Sequence, residues 1–177
     1  MEPIDSERIT VRPFEPADAD DYFSWASDDR VVRNLRRTPL TARDQALATI
    51  IDVCIPHPWR RSICVDGRSV GFVSVNPGSG DHRCRADISY ALATDFWGRG
   101  VATAAVKLAV ARVFGDLGEV LRLQAFVDVG NRASQRVLEK AGFQREGMLR
   151  KYTYLKGELK DLYLYSLLSA DTGTNSN

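Results

Sequence analysis

Short runs of alternating apolar and polar residues, separated by stretches with helical spacing, predict a domain that mixes strands and helices. The first run, Ile9–Pro13, alternates like a short strand. Pro16 suits the first position of a helix, and the aspartates after it complement the positive end of the helix dipole. A second helix is predicted at about 41–54, where two prolines then stop it. The amino-terminal third therefore contains one strand and two helices.

The middle of the chain predicts three strands that follow one another closely. Runs at 62–65 and 69–75 flank the pair Asp66-Gly67, and an Asp-Gly pair between two strand-like runs is a strong signal of a tight hairpin. The run at 86–92 follows as a third strand. Together these runs predict a meander.

The carboxyl-terminal half predicts two helices that alternate with strands. Residues 101–114 include only two charged side chains, so this helix is expected to be packed on most of its circumference, and Gly115 is placed to end it. Leu121–Val127 is predicted as a buried strand. Asn131 is predicted to cap a helix that Gly142 closes, since asparagine favours the position before a helix and glycine the position after it.

Two last strands, near 145–154 and 159–168, flank the turn Lys156-Gly157. The order of elements predicts a mixed α/β (α+β) fold. Because no linker divides the chain, a single domain is predicted over residues 1–170, and the small and polar residues 171–177 predict a disordered tail.

Length and composition agree with one ordinary globular domain and exclude several classes of function. The 177 residues include 44% hydrophobic and 27% charged residues. The 24 basic and 23 acidic side chains nearly cancel, so no overall field points to nucleic acid or to an anionic membrane. No apolar stretch reaches the roughly 20 residues that span a bilayer, and the first residues lack the pattern of a secretory signal. The expected location is cytoplasmic, with the nucleus as an alternative reached by diffusion.

The three cysteines, Cys54, Cys64 and Cys84, do not have the number or spacing of a disulfide framework. They also lack the paired spacing of metal ligands, and only His57 and His82 are present to assist them. Reduced thiols and no metal are therefore expected.

The turn after the strand at 86–92 carries the clearest chemistry. Gly98-Arg99-Gly100 opens the helix at Val101, and a helix start offers unpartnered backbone N–H groups and a dipole that favours an anion. The ATP-binding pattern G-x-x-x-x-G-K-[ST] is absent, and the dinucleotide pattern would need glycine where Thr103 stands. The turn is therefore predicted to bind a phosphate group in some other way, with a simple tight turn as the alternative.

This turn resembles the pyrophosphate loop of the GNAT superfamily of N-acetyltransferases, whose pattern is [Q/R]-x-x-G-x-[G/A]. Gly100 and Ala102 match the pattern, and Trp97 stands in place of the first Gln or Arg. A tryptophan followed by Gly-x-Gly is similar to the Rim-type branch, the ribosomal-protein N-terminal acetyltransferases. Further segments similar to that branch follow in family order over about residues 8–168: Ile9–Pro13, Asn131-x-x-Ser134, Val137–Phe143, Glu146-Gly147, Gly157 and Asp161.

The resemblance implies a fold, a donor and a donor site. The fold would be a GNAT-like single domain with a mostly antiparallel central sheet of about 6–7 strands, flanked by about 4 helices. The donor would be acetyl-CoA, with its pyrophosphate on the loop amides and its pantetheine arm along a strand edge. Asn131 would hydrogen-bond that arm, in addition to or instead of acting as a helix cap. The implied CoA-binding residues are Tyr90, Ala91, Leu92, Trp97, Gly98, Arg99, Gly100, Val101, Ala102, Thr103 and Asn131.

The resemblance also implies two candidate catalytic residues. Ser134 occupies the position where the Rim-type branch has a hydroxyl near the thioester sulfur, and Asp87 is the best remaining carboxylate for a general base. An ordinary surface serine and a strand-edge aspartate are the alternatives. The tyrosine with which many family members protonate the thiolate is replaced by Leu138, and Phe126 and Thr153 occupy two base positions.

The implied reaction is direct transfer of an acetyl group to an amine. Because no strong base is evident, an α-amino group with a pKa of about 8 is a better acceptor than a lysine side chain at about 10.4. The α-amino group of a peptide or protein is therefore favoured. The alternatives are a small amine, such as a polyamine or an amine antibiotic, and a non-catalytic acyl-CoA-binding module. No nucleic acid or membrane partner is expected, and the sequence is compatible with a monomer or a homodimer.

Overall fold

A seven-stranded sheet forms the centre of the computed structural model, which describes residues 2–173. Its strands are β1 (Ile9–Arg12), β2 (Arg60–Val65), β3 (Arg68–Pro77), β4 (Arg85–Leu92), β5 (Arg122–Asp128), β6 (Gln144–Leu155) and β7 (Glu158–Leu168). They lie in the order β1-β2-β3-β4-β5-β7-β6, and every neighbouring pair is antiparallel except the parallel pair of β4 and β5. The predicted mixed α/β fold with a mostly antiparallel sheet is confirmed.

Within the same residues, five α-helices cover the two faces of the sheet. They are α1 (Ala19–Ala26), α2 (Asp29–Val32), α3 (Arg43–Thr49), α4 (Val101–Asp116) and α5 (Arg132–Lys140). Helices α4 and α5 share one core with Val73 and Val75 of β3. Helices α1 and α3 share a second core with Phe72, which points to the opposite face because side chains alternate along a strand. The sheet is therefore the middle layer of three.

Local signals in the sequence placed two turns correctly. Asp66 and Gly67 have φ angles of 51° and 81°, as the tight hairpin between β2 and β3 requires. Asn131 caps α5, because its side chain accepts a hydrogen bond from Ser134 N at 3.2 Å, and Gly142 follows the helix with a φ of 94°. The predictions of this hairpin and of both ends of α5 are confirmed.

The predicted end of α4 is wrong. The helix does not stop at Gly115 but continues through it to Asp116. Leu117 N donates to Val113 O at 2.8 Å, so the helical hydrogen bonds continue past Gly115. Glycine raises the free energy of a helix interior by only about 1 kcal/mol relative to alanine, so packing elsewhere along this long helix outweighs it.

The start of the first helix also differs from the prediction. Pro16–Asp18 form a 3-10 turn ahead of α1. Asp18 is not an exposed charge at the helix end, because it is buried and forms an ion pair with Arg12 at 2.7 Å. Its Oδ2 also accepts from Glu15 N at 2.9 Å. This side chain therefore ties α1 to β1.

The chain's single domain over residues 1–170 stays a prediction. Of the predicted tail, Asp171 and Thr172 belong to a short 3-10 turn that starts at Ser169. Residues 174–177 lie outside the described part of the chain.

Candidate functional site

The parallel strands β4 and β5 diverge in the centre of the sheet. They pair only where Arg85–Asp87 lie opposite Arg122–Gln124. Beyond this point each strand stays paired on its other side, to β3 or β7, while the gap between them widens. An exposed strand edge can bind an extended, amide-containing arm as if it were an added strand. We call the gap between residues 88–92 and 125–128 the cleft.

The turn from β4 to α4 presents backbone N–H groups at the open end of the cleft. Gly98 and Gly100 have φ angles of 70° and 83°, a region that favours glycine. Ala104 N is the first amide that bonds within α4, to Gly100 O at 3.0 Å, so the amides of 101–103 precede the helix's own ladder. A Cβ added at either glycine would meet no protein atom within 4 Å. The open space and the helix amides fit a phosphate group.

Trp97 and Arg99 brace this turn from two sides. Trp97 Nε1 donates to Leu92 O at 2.7 Å, which fixes the turn to the end of β4. Ile4 N donates to the carbonyl of Arg99 at 3.0 Å, and Arg99 Nε donates to Glu2 O at 3.3 Å. The amino-terminal segment therefore holds both the backbone and the guanidinium of Arg99.

Tyr90, Ala91 and Leu92 form the part of β4 that borders the cleft. On one side they pair with residues 71–73 of β3, so their other edge faces the gap. Leu92 is buried, and Tyr90 and Ala91 are half-buried. An extended, amide-containing ligand could pair with this edge as an added strand.

The first turn of α5 carries Asn131 and Ser134. Because Asn131 Oδ1 accepts from Ser134 N, the helix-cap role is occupied by the amide oxygen alone. Its Nδ2 has no hydrogen-bond partner in the described part of the chain. The same side chain can therefore cap the helix and donate a hydrogen bond to a ligand in the cleft.

A hydroxyl pair connects β4 with α5. Tyr90 Oη lies 2.8 Å from Ser134 Oγ and 3.1 Å from Ser134 O. Burial raises the pKa of Tyr90 to about 12, so the phenol keeps its proton at neutral pH. The sequence indicated only the Tyr90 backbone as part of the site, and nothing local in it signals this contact between residues 44 positions apart.

In the family that the sequence resembles, three positions hold an acid or a base. In this chain the residues at those positions make packing or bridging contacts instead. Leu138 is fully buried in the core beside α4. The ring of Phe126 stacks on Tyr152 with a centroid distance of 5.5 Å. Thr153 Oγ1 accepts from Arg36 Nη2 at 3.0 Å. The acid and base functions must therefore come from other residues.

Asp87 lies at the closed end of the cleft, on the sheet face opposite to Tyr90. Its neighbours Ala86 and Ile88 are buried against α4, so the exposed Asp87 side chain points the other way. Asp87 Oδ1 accepts from Gln124 Nε2 at 2.8 Å, and its Oδ2 has no hydrogen bond within residues 2–173. The cleft therefore has hydroxyl groups on one face and a carboxylate on the other.

A row of polar side chains orients the Gln124 amide. Arg122 Nε donates to Gln124 Oε1 at 3.2 Å, and its two terminal nitrogens bind Glu146 at 2.7 Å each. The guanidinium of Arg122, with a hydrogen bond from Ser166, lowers the pKa of Glu146 to about 2. With its oxygen held in this way, Gln124 turns its NH₂ group to Asp87. Sequence reasoning missed this row, although two polar residues two positions apart in an apolar strand were a signal for it.

Two segments wall the face of the cleft on which Asp87 lies. Arg36 binds Thr153, and Lys156 Nζ donates to Val32 O at 2.7 Å, so the chain after α2 is joined to the β6–β7 hairpin. The stacked ring of Tyr152 places the same hairpin over β5. We call these two segments together the entrance: residues 28–37 and 150–161.

We expect Asn131→Asp to separate the cap from the ligand contact. Aspartate retains an acceptor for Ser134 N but loses the Nδ2 donor, so unfolding in urea should resemble wild type while acetyl-CoA binds about fivefold to tenfold more weakly. Asn131→Ala should lose both the ligand contact and the helix cap, and loss of the cap should lower the free energy of unfolding by about 1 kcal/mol. Wild-type affinity in a calorimetric titration of Asn131→Asp would leave Asn131 with the cap alone.

Other kinds of site find little support in the described residues. Residues 2–173 include no group of three or more His, Cys, Asp or Glu side chains that could hold a metal ion. They also include no helix long and apolar enough to cross a membrane. Cys54 and Cys64 are buried thiols, and Cys84 is exposed.

Sequence comparisons identify the family. The model of the acetyltransferase (GNAT) domain matches residues 8–144. An uncharacterised N-acetyltransferase of Bacillus licheniformis is 34% identical over 180 residues, covering 97% of this chain and 98% of the relative. YdaF of Bacillus subtilis, provisionally named a ribosomal N-acetyltransferase, is 30% identical and covers 94% of both chains. The spermidine N(1)-acetyltransferase of Escherichia coli is 27% identical, over 86% of this chain and 82% of that protein.

Solved structures agree on the fold. An acetyltransferase of the GNAT family from Bacillus anthracis superposes with a TM-score of 0.81 at 22% identity, covering 93% of this chain and 97% of that one. RimJ of Mycobacterium smegmatis, in complex with CoA-disulfide, has a TM-score of 0.76 at 23% identity, covering 96% and 85%. Because the family model matches residues 8–144 and a relative at 34% identity covers 97% of the chain, the protein belongs to the GNAT acetyltransferase family and is an N-acetyltransferase.

Proposed function

We propose that this N-acetyltransferase moves the acetyl group of acetyl-CoA directly to the α-amino group of a peptide or protein, in the manner of the Rim-type branch. The observation that carries the proposal is the composition of the cleft. Loop amides lie at its open end, the hydroxyls of Tyr90 and Ser134 on one face, and the carboxylate of Asp87 on the other. These are the groups that a thioester donor and an amine acceptor need.

The donor is assigned to the cleft from its chemistry. The pyrophosphate binds the amides of 98–103 at the start of α4, where the helix dipole also favours an anion. The pantetheine arm contains amides, and it pairs with the free edge of 90–92 as an extended strand would. The Nδ2 group of Asn131 adds a donor near the far end of the arm.

The donor and the acceptor reach the cleft through separate openings, the donor at the loop amides and the acceptor at the entrance. The neutral amine attacks the thioester carbon, forming the C–N bond, and passes a proton to Asp87 and then to solvent. The C–S bond breaks as CoA leaves with the bonding electrons as a thiolate, which Ser134 stabilises by a hydrogen bond. Because a thiol has a pKa near 8.5, the thiolate leaves readily and a modest donor suffices.

The Tyr90 phenol positions Ser134 for this role. The single phenol proton can go to Ser134 O or to Ser134 Oγ, and when it goes to Oγ the serine proton is free to point at the sulfur. The pair thereby replaces the single tyrosine that many family members carry where this chain has the buried Leu138.

A peptide acceptor is favoured over a polyamine by the charge at the entrance. Arg36 and Lys156 hydrogen-bond neutral groups there, so their charges are not cancelled by a carboxylate. A multiply charged cation would be repelled at such an opening. The relatives include proteins of both kinds, a provisionally ribosomal enzyme and spermidine enzymes, so acceptor charge is used to decide between the two candidates.

Peptides with a free amino terminus are expected to be acetylated with a kcat/KM at least tenfold above that of N-blocked peptides bearing only lysine. The reason is that an α-amine is about two pKa units less basic than lysine, so much more of it is neutral at pH 7. Release of free CoA thiol measures the rate for each peptide. Spermidine at equal concentration is the comparison for the small-amine candidate, and a higher kcat/KM for spermidine or for the lysine peptides would overturn the proposal.

A further inference from the structure

The entrance carries more positive charge than the rest of the chain explains. Its two segments contain eight cationic and four anionic side chains, an excess of four in a protein whose overall net charge is +1. The remaining residues are therefore net acidic. A local excess of this size is a feature of the entrance and not of the protein surface in general.

Two of these cations are fixed in place. Arg36 donates to Thr153 Oγ1 at 3.0 Å and to Tyr154 O at 3.4 Å, and Lys156 donates to Val32 O at 2.7 Å. All three acceptors are uncharged. The two bridges therefore hold both walls of the entrance together and keep two positive charges at its rim.

Two further cations point into solvent without a partner. Arg33 and Arg150 are exposed, and neither side chain forms a hydrogen bond or an ion pair with any residue in the range 2–173. They lie on opposite walls, Arg33 next to the α2 end that Lys156 binds and Arg150 at the irregular stretch of β6 that precedes Thr153. Their charges are available to a ligand that passes between the walls.

Most carboxylates of the entrance are already engaged. Asp28 binds Arg30, which lowers the pKa of Asp28 to about 2. Asp161 Oδ1 accepts from Lys151 N at 2.6 Å, and Glu158 binds Lys160 at 2.6 Å. In the described part of the chain, Asp161 thus has a backbone partner alone, and the Asp29 side chain has no hydrogen bond or ion pair. The field that an incoming molecule meets is therefore positive.

We propose that the entrance selects acceptor peptides in which acidic residues follow the free amino terminus. The inference rests on the proposed function, since it takes the acceptor to be an α-amine that reaches Asp87 through the entrance. The α-amino group enters the cleft, and the next few residues lie between the two walls, where Arg33, Arg150 and the bridging cations attract their carboxylates. Charges on both walls suit several carboxylates along a chain better than the single one of a free amino acid.

The test compares three peptides with the same first residue and with acidic, neutral or basic residues at positions two to four. We expect kcat/KM at saturating acetyl-CoA to fall in that order, with the acidic peptide at least tenfold better than the basic one in low salt. Because rim charges act mainly on association and are screened within about 8 Å at physiological ionic strength, this ratio should shrink in 0.5 M salt. Equal values for the three peptides in low salt would overturn the inference.

A charge-reversal variant tests the residues directly. Arg33→Glu combined with Arg150→Glu removes no hydrogen bond or ion pair within residues 2–173, and it should bring the ratio of acidic to basic peptide close to one or below. Lys107→Glu with Lys140→Glu is the matched control, because these exposed side chains make the same charge change on α4 and α5, across the sheet from the entrance. The control should keep the wild-type ratio. Equal ratios in the two double variants would overturn the assignment to the entrance.

Failure of the inference can be told apart from failure of the proposed function. Free glutamate and spermidine are included as acceptors beside the three peptides. Turnover of all three peptides without a charge order would overturn only the acidic preference. Turnover of free glutamate or spermidine with no turnover of any peptide would overturn the peptide acceptor, and the acidic preference with it.

Discussion

A Gly100→Val variant is expected to lose measurable binding of acetyl-CoA while it keeps its fold. Gly100 has a φ of 83°, where a β-branched residue is strained by roughly 1–2 kcal/mol. Its missing Cβ faces space free of protein atoms within 4 Å. Valine would place its methyl groups in the space through which a phosphate reaches the amides at the start of α4. Calorimetric titration with CoA and with acetyl-CoA measures the loss.

The control for this variant is Gly67→Val. Gly67 has nearly the same φ, 81°, and also has no protein atom within 4 Å of its missing Cβ, but it lies in the hairpin between β2 and β3. We expect a similar decrease in thermal stability and wild-type affinity for acetyl-CoA. Unchanged affinity in folded Gly100→Val would place the donor phosphates elsewhere, and an equal loss in Gly67→Val would attribute the effect to stability.

The sequence predicted those parts of the fold that depend on neighbouring residues. The Asp66-Gly67 hairpin and the Asn131 cap follow from backbone preferences of the residues in the turn itself, and both are confirmed. The glycine turn before α4 is similarly local, so its placement at the cleft needed only the strand before it and the helix after it. Local backbone preferences were therefore enough to predict the turn to which we assign the donor phosphates.

Local sequence patterns could not predict features that depend on residues far away in the chain. The sequence predicted Asp18 as a charge at the start of a helix, but it is buried and forms an ion pair with Arg12 on β1. The end of α4 was set by packing instead of by Gly115. The short helix α2 was not predicted, because four residues carry too little periodicity to be recognised.

The same limit applied to the chemistry of the cleft. From the sequence, Leu138, Phe126 and Thr153 indicated that family acids and bases were absent, and the structure gives each a packing or bridging contact instead. The sequence could not indicate the hydroxyl pair that we propose in their place. The contact of Tyr90 with Ser134 exists only because β4 and α5 meet in the fold.

Ser134→Ala is expected to lower kcat roughly 10–10²-fold and to leave the affinity for acetyl-CoA nearly intact. The variant keeps the backbone N–H that the Asn131 cap uses, so α5 should begin as it does now. It removes only the hydroxyl assigned to the departing sulfur, and the loss stays modest because a thiolate already leaves well. Turnover at saturating donor and a calorimetric Kd measure the two quantities, and wild-type turnover would leave Ser134 an ordinary first-turn residue.

The role of Tyr90 is tested best by combining Tyr90→Phe with Ser134→Ala. Tyr90→Phe alone is expected to lower kcat by a smaller factor, about 3–10-fold, because it removes the hydroxyl that lies 2.8 Å from Ser134 Oγ and holds it in place. In the Ser134→Ala background the same change should have almost no further effect on kcat, since the phenol acts through the serine. A phenol that merely joins β4 to α5 would instead give losses that multiply in the double variant, and that result would contradict the positioning role. Because burial raises the pKa of Tyr90 to about 12, its phenol stays protonated over the working range, and the pH profile of kcat should keep its shape in Tyr90→Phe.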